Sequence, residues 1–467
     1  QGAKRYSMEI VADDLKLLNP TTRTSPIFRS RKDAELTKYI YRRVPILWRE
    51  ANDDEPESNP WGISFKQGLF NMTSASEFFR TRKELDAAGW SLSGNVFERG
   101  EEKMLPLYEA KMVHHFDHRW AGYVPSAPKR GKSSTKEEDV VSFTDADKMD
   151  PSLVPLPRYW VPEEEVRKRL GERWSHEWML GWRDICRNTD ERTIIAGIVP
   201  LSGIGHTFPL VLFNEQGKDC PIEGFIVGLN SLVFDFVARQ KTGGTHMTYG
   251  FLKQLPMSLC ADIQAVIIKL NPIERLSWLR DRIMELQYTT NDMSSFALDF
   301  GYNASPFRWN PERRAHIRAE LDAACFHLFL GDQEDWNNTA SKELLEWFQT
   351  PRAVISHIME SFPILRDKDI KEYGHYRTRD AILAEYDRLT AAMATGIRYE
   401  STLSPQPGQQ VDDVDILHGP TSQPILYITF VLGLFTSRPE IANPTFRRRS
   451  TLFPYVCAEP GKFLFFF

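Results

Sequence analysis

The sequence predicts an α+β fold: a mixed-sheet domain followed by a mainly helical C-terminal domain. Three observations carry this. Short β-rich runs punctuated by Gly and Pro concentrate before residue 272. Apolar residues at helical spacing dominate after Asn271-Pro272. The 467 residues are 42% hydrophobic and 12% aromatic, enough apolar material for a large core spread over roughly two to four domains. The expected organisation is a first domain over 1–272 with a flexible insertion near 126–150, a helical domain over 273–400, and an irregular tail over 401–467.

Taken in order, Asp33-Ala34-Glu35-Leu36 opens a helix, with Leu36, Ile40 and Val44 at i, i+4 and i+8. Glu77 to Ala88 reads as a second helix, ended by turn signals at Gly89 and Ser93-Gly94. Leu105 to Val113 is strand-like. Ser126-Ala127-Pro128-Lys129-Arg130-Gly131-Lys132 is basic, and Glu137, Glu138, Asp139, Asp145 and Asp147 follow it, the pattern of a surface insertion. Pro162 to Leu170 starts a helix, because Pro suits the first turn and Glu163, Glu164 and Glu165 complement the N-terminal dipole. Thr193 to Val199 and Phe208 to Phe213 read as strands. Phe225 to Val237 places Leu229, Leu232, Val233, Phe236 and Val237 on one helical stripe, which Gly243-Gly244 ends. Ile273 to Leu286, Pro311 to Leu330 and Thr378 to Met393 carry helical periodicity. Beyond Glu400 the chain is Pro/Gln/Ser-rich, then hydrophobic.

Composition narrows the function. A net charge of −5 and a pI of about 6.2 disfavour bulk attraction to nucleic acid, so any DNA-binding face must be a local patch. The five cysteines, Cys186, Cys220, Cys260, Cys325 and Cys457, are scattered and form no CxxC pair. Zinc knuckles are therefore not expected, and free thiols in a reducing cytoplasm are. The N-terminus opens no apolar run, so no signal peptide is expected, and the missing initiator Met suggests a piece of a longer protein. The apolar run from Pro424 to Phe435 is about half the ~20 residues of a membrane span, so no membrane partner is expected.

Four clusters could carry chemistry. His114-His115-Phe116-Asp117-His118 offers metal-ligand types, and His114 and His118 would share a helical face. The general base of an HExxH site is absent, which favours a structural or DNA-facing role for these residues and Arg119. Ser202-Gly203-Ile204-Gly205-His206 could cradle a phosphate only if a helix followed; a strand at Phe208 makes it a turn instead. Arg239, Gln240, Lys241, Thr242, Thr245 and His246 leave the end of an apolar helix. Cations there suit the helix dipole, and the same side chains could reach phosphate, guanine or adenine. Arg29-Ser30-Arg31-Lys32 reads as a solvated face, whereas Lys129 and Arg130 in the insertion are either a solvated face or flexible phosphate clamps.

Adenine N6 methylation needs an [Asn/Asp/Ser]-Pro-Pro-aromatic loop to hold the flipped base. Asn-Pro occurs at 19, 59, 271, 310 and 443, never followed by a second Pro, and no Gly-rich strand-to-helix turn suits S-adenosylmethionine.

Several stretches nevertheless resemble one family. Leu18 to Arg31 is similar to the segment after the catalytic domain of large fused adenine-specific DNA methyltransferases of type II restriction–modification and phage-defence systems. Asn59-Pro60-Trp61-Gly62 and Leu107-Tyr108-Glu109-Ala110-Lys111-Met112, followed by Phe116-Asp117-His118-Arg119, look like the next blocks. Asn230-Ser231-Leu232-Val233-Phe234-Asp235 through Lys253-Gln254-Leu255-Pro256 resembles the end of the recognition domain. Phe307-Arg308-Trp309, Ala319-Glu320-Leu321-Asp322-Ala323, Phe362-Pro363-Ile364 and Tyr373-Gly374-His375-Tyr376-Arg377-Thr378 resemble the helical C-terminal region. The resemblance, over about 15–390, implies a target-recognition domain that binds double-stranded DNA. It also implies an upstream catalytic domain using S-adenosylmethionine, which this chain lacks. The specificity part of a fused endonuclease–methyltransferase, or a stand-alone specificity subunit acting in trans, remain open alternatives.

Overall fold

A computed structural model of the chain describes residues 12–20, 28–51, 55–125, 138–214, 222–271 and 277–410. The architecture is α+β, with mixed sheets in the first part and a mostly helical C-terminal part. Eleven strands are described: β1 Ile63–Lys66, β2 Ser91–Ser93, β3 Val96–Arg99, β4 Glu102–Tyr108, β5 Ala121–Pro125, β6 Glu138–Ser142, β7 Trp160–Pro162, β8 Trp178–Trp182, β9 Ala196–Pro200, β10 Gly203–Ile204 and β11 Leu210–Phe213.

One antiparallel sheet runs β1-β11-β8-β9. Its inner strand β8 is buried at every residue, so both of its faces are covered. A second sheet runs β10-β4-β3-β2, with β7 also on β4. The β10–β4 pairing is parallel, matching Gly203 to Leu107 and Ile204 to Tyr108. Gly203 is required there, because a Cβ would lie 2.5 Å from Val161 Cγ2. β5 and β6 form a separate hairpin.

Local signals explain most boundaries. The helix Arg31–Arg43 starts where Ser30 accepts a hydrogen bond from Asp33 N, and it buries Leu36 and Ile40. Pro162 precedes the helix Glu163–Leu170 with its acidic first turn. The helix Pro311–Leu330 is capped by Asn310, which accepts from Glu312 N and Arg313 N, and it ends at Gly331 with φ 78°. This long helix packs on Arg377–Thr395 and also on Ile222–Asn230, Leu232–Lys241 and Cys260–Leu270. One hydrophobic core therefore draws on residues from both sides of position 272.

Several elements differ from expectation. The stretch 77–88 splits into a 3₁₀ turn, Ser76–Phe78, and the helix Arg82–Ala87, because Thr81 and Glu84 form a capping box at a new start. The strand expected over 105–113 ends at Tyr108 and yields to a 3₁₀ turn, Ala110–Met112. The helix expected over 225–237 is two helices, because Ser231 caps the second through Phe234 N. The insertion is flanked by the β5–β6 hairpin, while 126–137 and the tail beyond 410 lie outside the described residues. Cys186 and Cys325 are free and buried. Cys260 is disulfide-bonded, which corrects the expectation of free thiols throughout, since spacing along the chain does not report which sulfurs meet in space. Among the described residues no helix is long and apolar enough to cross a membrane.

Candidate nucleic-acid interface

The cationic turn after the apolar helix does not face solvent, which corrects four of the expected DNA contacts. Arg239 is 3% exposed. Its Nε pairs with Asp235 Oδ1 at 2.9 Å, and its Nη atoms donate to the carbonyls of Asn188, Asp190, Glu191 and Ser361. Gln240 is 1% exposed, and neither amide atom has a partner. Lys241 donates to Gln254 O at 2.7 Å under the Tyr41 ring, and burial pulls its pKa well down. Thr242 donates to Ala238 O. The 188–191 loop, the turn at Ser361 and the segment at Gln254 fold over the helix end and take the donors of Arg239 and Lys241, Thr242 turns back onto its own helix, and Gln240 is buried without a partner. Thr245 and His246 do stay exposed, with His246 Nδ1 2.8 Å from Asp184 Oδ2. Lys129 and Arg130 lie outside the described residues.

The charge run at 29–32 is used in packing. Arg29 donates to Asn188 O, Arg31 pairs with Glu343, and Lys32 lies over Trp347 and Phe348. The glycine-containing loop at 202–206 joins β9 to β11 through β10, with Gly205 N donating to Tyr108 O, and it leads into a strand rather than a helix.

The histidine block forms the floor of a different site. His114 and Asp117 exchange backbone hydrogen bonds of 2.7 and 3.0 Å, closing a tight turn with Phe116 at φ 55°. The block is therefore not helical, and His114 and His118 do not share a ligating face. His115 Nε2 donates to Ile194 O at 2.7 Å. His118 Nε2 is 3.1 Å from both Asp292 Oδ1 and Thr290 Oγ1. Arg119 donates to the carbonyls of Lys148, Asp150, Leu153 and Thr289, and Asp117 pairs with Lys148 at 2.6 Å. These residues tie the sheet region to the helical region, the packing role weighed for them.

Above that floor, His114 stacks on Trp120 at 4.3 Å, and Trp120 keeps 36% of its surface open. Burial, followed by the charges of Arg183, Arg192, Arg318 and Lys148, holds the His114 pKa well below its ordinary value. Two of these cations have no carboxylate partner among the described residues. Arg183 donates from Nε to Val113 O at 2.7 Å, its Nη2 is buried without a partner, and burial lowers its pKa to about 10. Arg318 donates only from Nε, to Arg314 O at 3.3 Å. It remains exposed although burial lowers its pKa, and it lines a small pocket with His115 and Arg192. Arg314 lies beneath, 3.7 Å from the Trp309 ring centroid, held by the carbonyls of Leu286 and Phe116, and burial takes it down to about 9. Cations held partly out of water without a carboxylate in contact leave a local positive potential that a polyanion would relieve.

Sequence reasoning missed Arg183, Arg192 and Arg318. Arg183 and Arg192 lie in the segment joining β8 to β9 and Arg318 lies one turn after Arg313-Arg314, so no contiguous charge run marked them; they meet because that segment and the helix Pro311–Leu330 converge on the histidine turn. A second cluster, His316, Glu320 and Glu385, brings three ligand atoms within 4.8 Å of one another. Its carboxylates are already engaged by Arg282, Tyr399, Ser401 and Arg388, so the cluster closes on itself as an ion network. No protein-family model matches the chain, and no curated protein sequence is significantly similar to it.

Proposed function

We propose that this chain is a DNA-specificity module, the target-recognition and helical part of an adenine-specific (N6) DNA methyltransferase whose catalytic domain, with its S-adenosylmethionine, lies elsewhere in the parent or on a separate polypeptide. It would act in the cytoplasm on double-stranded DNA. The observation that carries the reading is the cluster of cations around His114. Arg183 and Arg318 stand there without carboxylate partners on an otherwise acidic chain, beside the half-open Trp120. Phosphate contacts by such arginines supply affinity and register, while neighbouring side chains read base edges. The ordered family-like blocks over 15–390 support the same reading, and the histidine turn belongs to one of them. Thr245 and His246 reach solvent next to the segment carrying Arg183, through the Ile185–His246 bridge, and among the described residues they are the members of the sequence-derived set still available for contact.

The test is binding of the full chain to fluorescein-labelled duplexes across a salt series. Affinity should fall linearly on a log–log plot, and Arg183→Ala should lower the slope by about 0.9, one phosphate contact. Salt-insensitive binding, no binding, or an unchanged slope in Arg183→Ala would remove the reading.

A further inference from the structure

We propose that a small pocket in this cation cluster, between the 114–119 turn and the helices Ile222–Asn230 and Pro311–Leu330, is a binding site for a single phosphoryl group. For the donor of that group, a backbone phosphate of duplex DNA, the inference rests on the reading above; the pocket's anion chemistry does not. The polar lining is His115, Arg192, Asn230, Ser231, Arg318 and Asp322. The pocket measures about 30 Å³ to the centre of a water-sized sphere. That is room for roughly two waters, the scale of one tetrahedral oxyanion.

Three side chains of this lining carry donor nitrogens with no acceptor among the described residues. Asn230 is 5% exposed; its Oδ1 accepts from Ala196 N at 3.1 Å, but its Nδ2 has no partner. A buried amide donor left unpaired carries an uncompensated desolvation cost, which an acceptor in the pocket would remove. The terminal nitrogens of Arg318 bond to nothing among the described residues. Arg192 donates from Nε to Asp235 at 2.8 Å and from Nη2 to Asn230 O at 2.6 Å, leaving Nη1 free among the described residues. Two guanidinium groups and one amide converge from three elements, a donor set suited to three phosphate oxygens. The opposing charge is Asp322, whose Oδ1 is occupied by Leu232 N at 2.7 Å. Burial raises its pKa to about 6, so its negative charge is weakly held next to an anion.

The experiment follows thermal unfolding of the full chain in sodium phosphate against sodium chloride at matched ionic strength. Phosphate should raise Tm above the chloride curve. Arg318→Ala and Asn230→Asp should each weaken phosphate binding by about tenfold or more. Asn230→Asp keeps the Oδ1 acceptor for Ala196 N, and it places a carboxylate where the amide donor stood. Arg318→Lys should recover part of the effect, since it keeps the charge but not the fork. Asp322→Asn, which keeps the acceptor for Leu232 N, should tighten binding. Equal protection by phosphate and chloride would overturn the proposal. So would phosphate protection that survives both Arg318→Ala and Asn230→Asp. Competition with an unlabelled duplex separates the donors. A duplex that displaces phosphate supports a backbone phosphate as occupant. Phosphate binding that a duplex leaves untouched keeps the pocket and removes the DNA source.

Discussion

Replacing Arg239 with Ala should destabilise the protein without redirecting its choice of DNA sequence. The side chain spans three parts of the fold. It pairs with Asp235 at 2.9 Å, donates to Asp190 O at 2.8 Å and Glu191 O at 2.6 Å, reaches Asn188 O and Ser361 O, and lies 4.4 Å from the Phe362 ring centroid. Removing one partner of a buried pair costs about 3–5 kcal/mol, because the other charge is left in low dielectric. Here Asp235 retains Arg192 at 2.8 Å and the amides of Thr193 and Ile194. Its charge is not stranded, and the expected loss falls at the lower end, about 3 kcal/mol. That is a large share of a typical stability of ~5–15 kcal/mol. Urea unfolding of the full chain, followed by tryptophan fluorescence, would measure it. Arg239→Lys should lie in between, since an ammonium can keep Asp235 but reaches fewer of the carbonyls. A loss below ~1 kcal/mol, small enough to be a surface contact, would refute the assignment. So would a stably folded Arg239→Ala chain that prefers a different DNA sequence.

Gln240→Met should stabilise the chain by about 1–2 kcal/mol, because it replaces two unpaired buried amide atoms with a thioether of similar length; destabilisation in the same urea assay would show that the amide has a partner. Asp322 has its pKa raised to about 6 by burial, so between its ordinary 3.8 and 6 the folded state binds the proton more tightly than the unfolded chain does. Stability from this group therefore falls as pH rises through that window. Asp322→Asn should flatten the slope and add up to about 3 kcal/mol at pH 7, and unfolding at pH 5 and pH 7 that keeps the parent's difference would contradict it. Gly203→Ala should lose about 1–3 kcal/mol by overpacking, since its Cβ would stand 2.5 Å from Val161 Cγ2 and 3.0 Å from Leu107 Cδ1; an unchanged Tm would show that β10 can shift away from β4.

Helix ends were legible at several boundaries where the signal lies within four residues, although the equally local caps at Thr81 and Ser231 went unread. Asn310-Pro311 and Gly331 mark the two ends of the long helix, and Glu163–Glu165 mark the start of another, because caps, dipoles and backbone φ act over one turn. The same locality explains the α+β class and the amphipathic pattern of Arg31–Arg43. Burial obeys no such range. Arg239, Gln240 and Lys241 have the composition of an exposed helix end, yet carbonyls from 188–191, Ser361 and Gln254 enclose Arg239 and Lys241. Arg183, Arg192 and Arg318 look ordinary one by one, and the convergence of β8, β9 and the long helix makes them a single field around His114. A side chain's partners across the fold depend on packing between segments tens to hundreds of residues apart, and desolvation by that packing sets whether a cation becomes a structural clamp or an open charge.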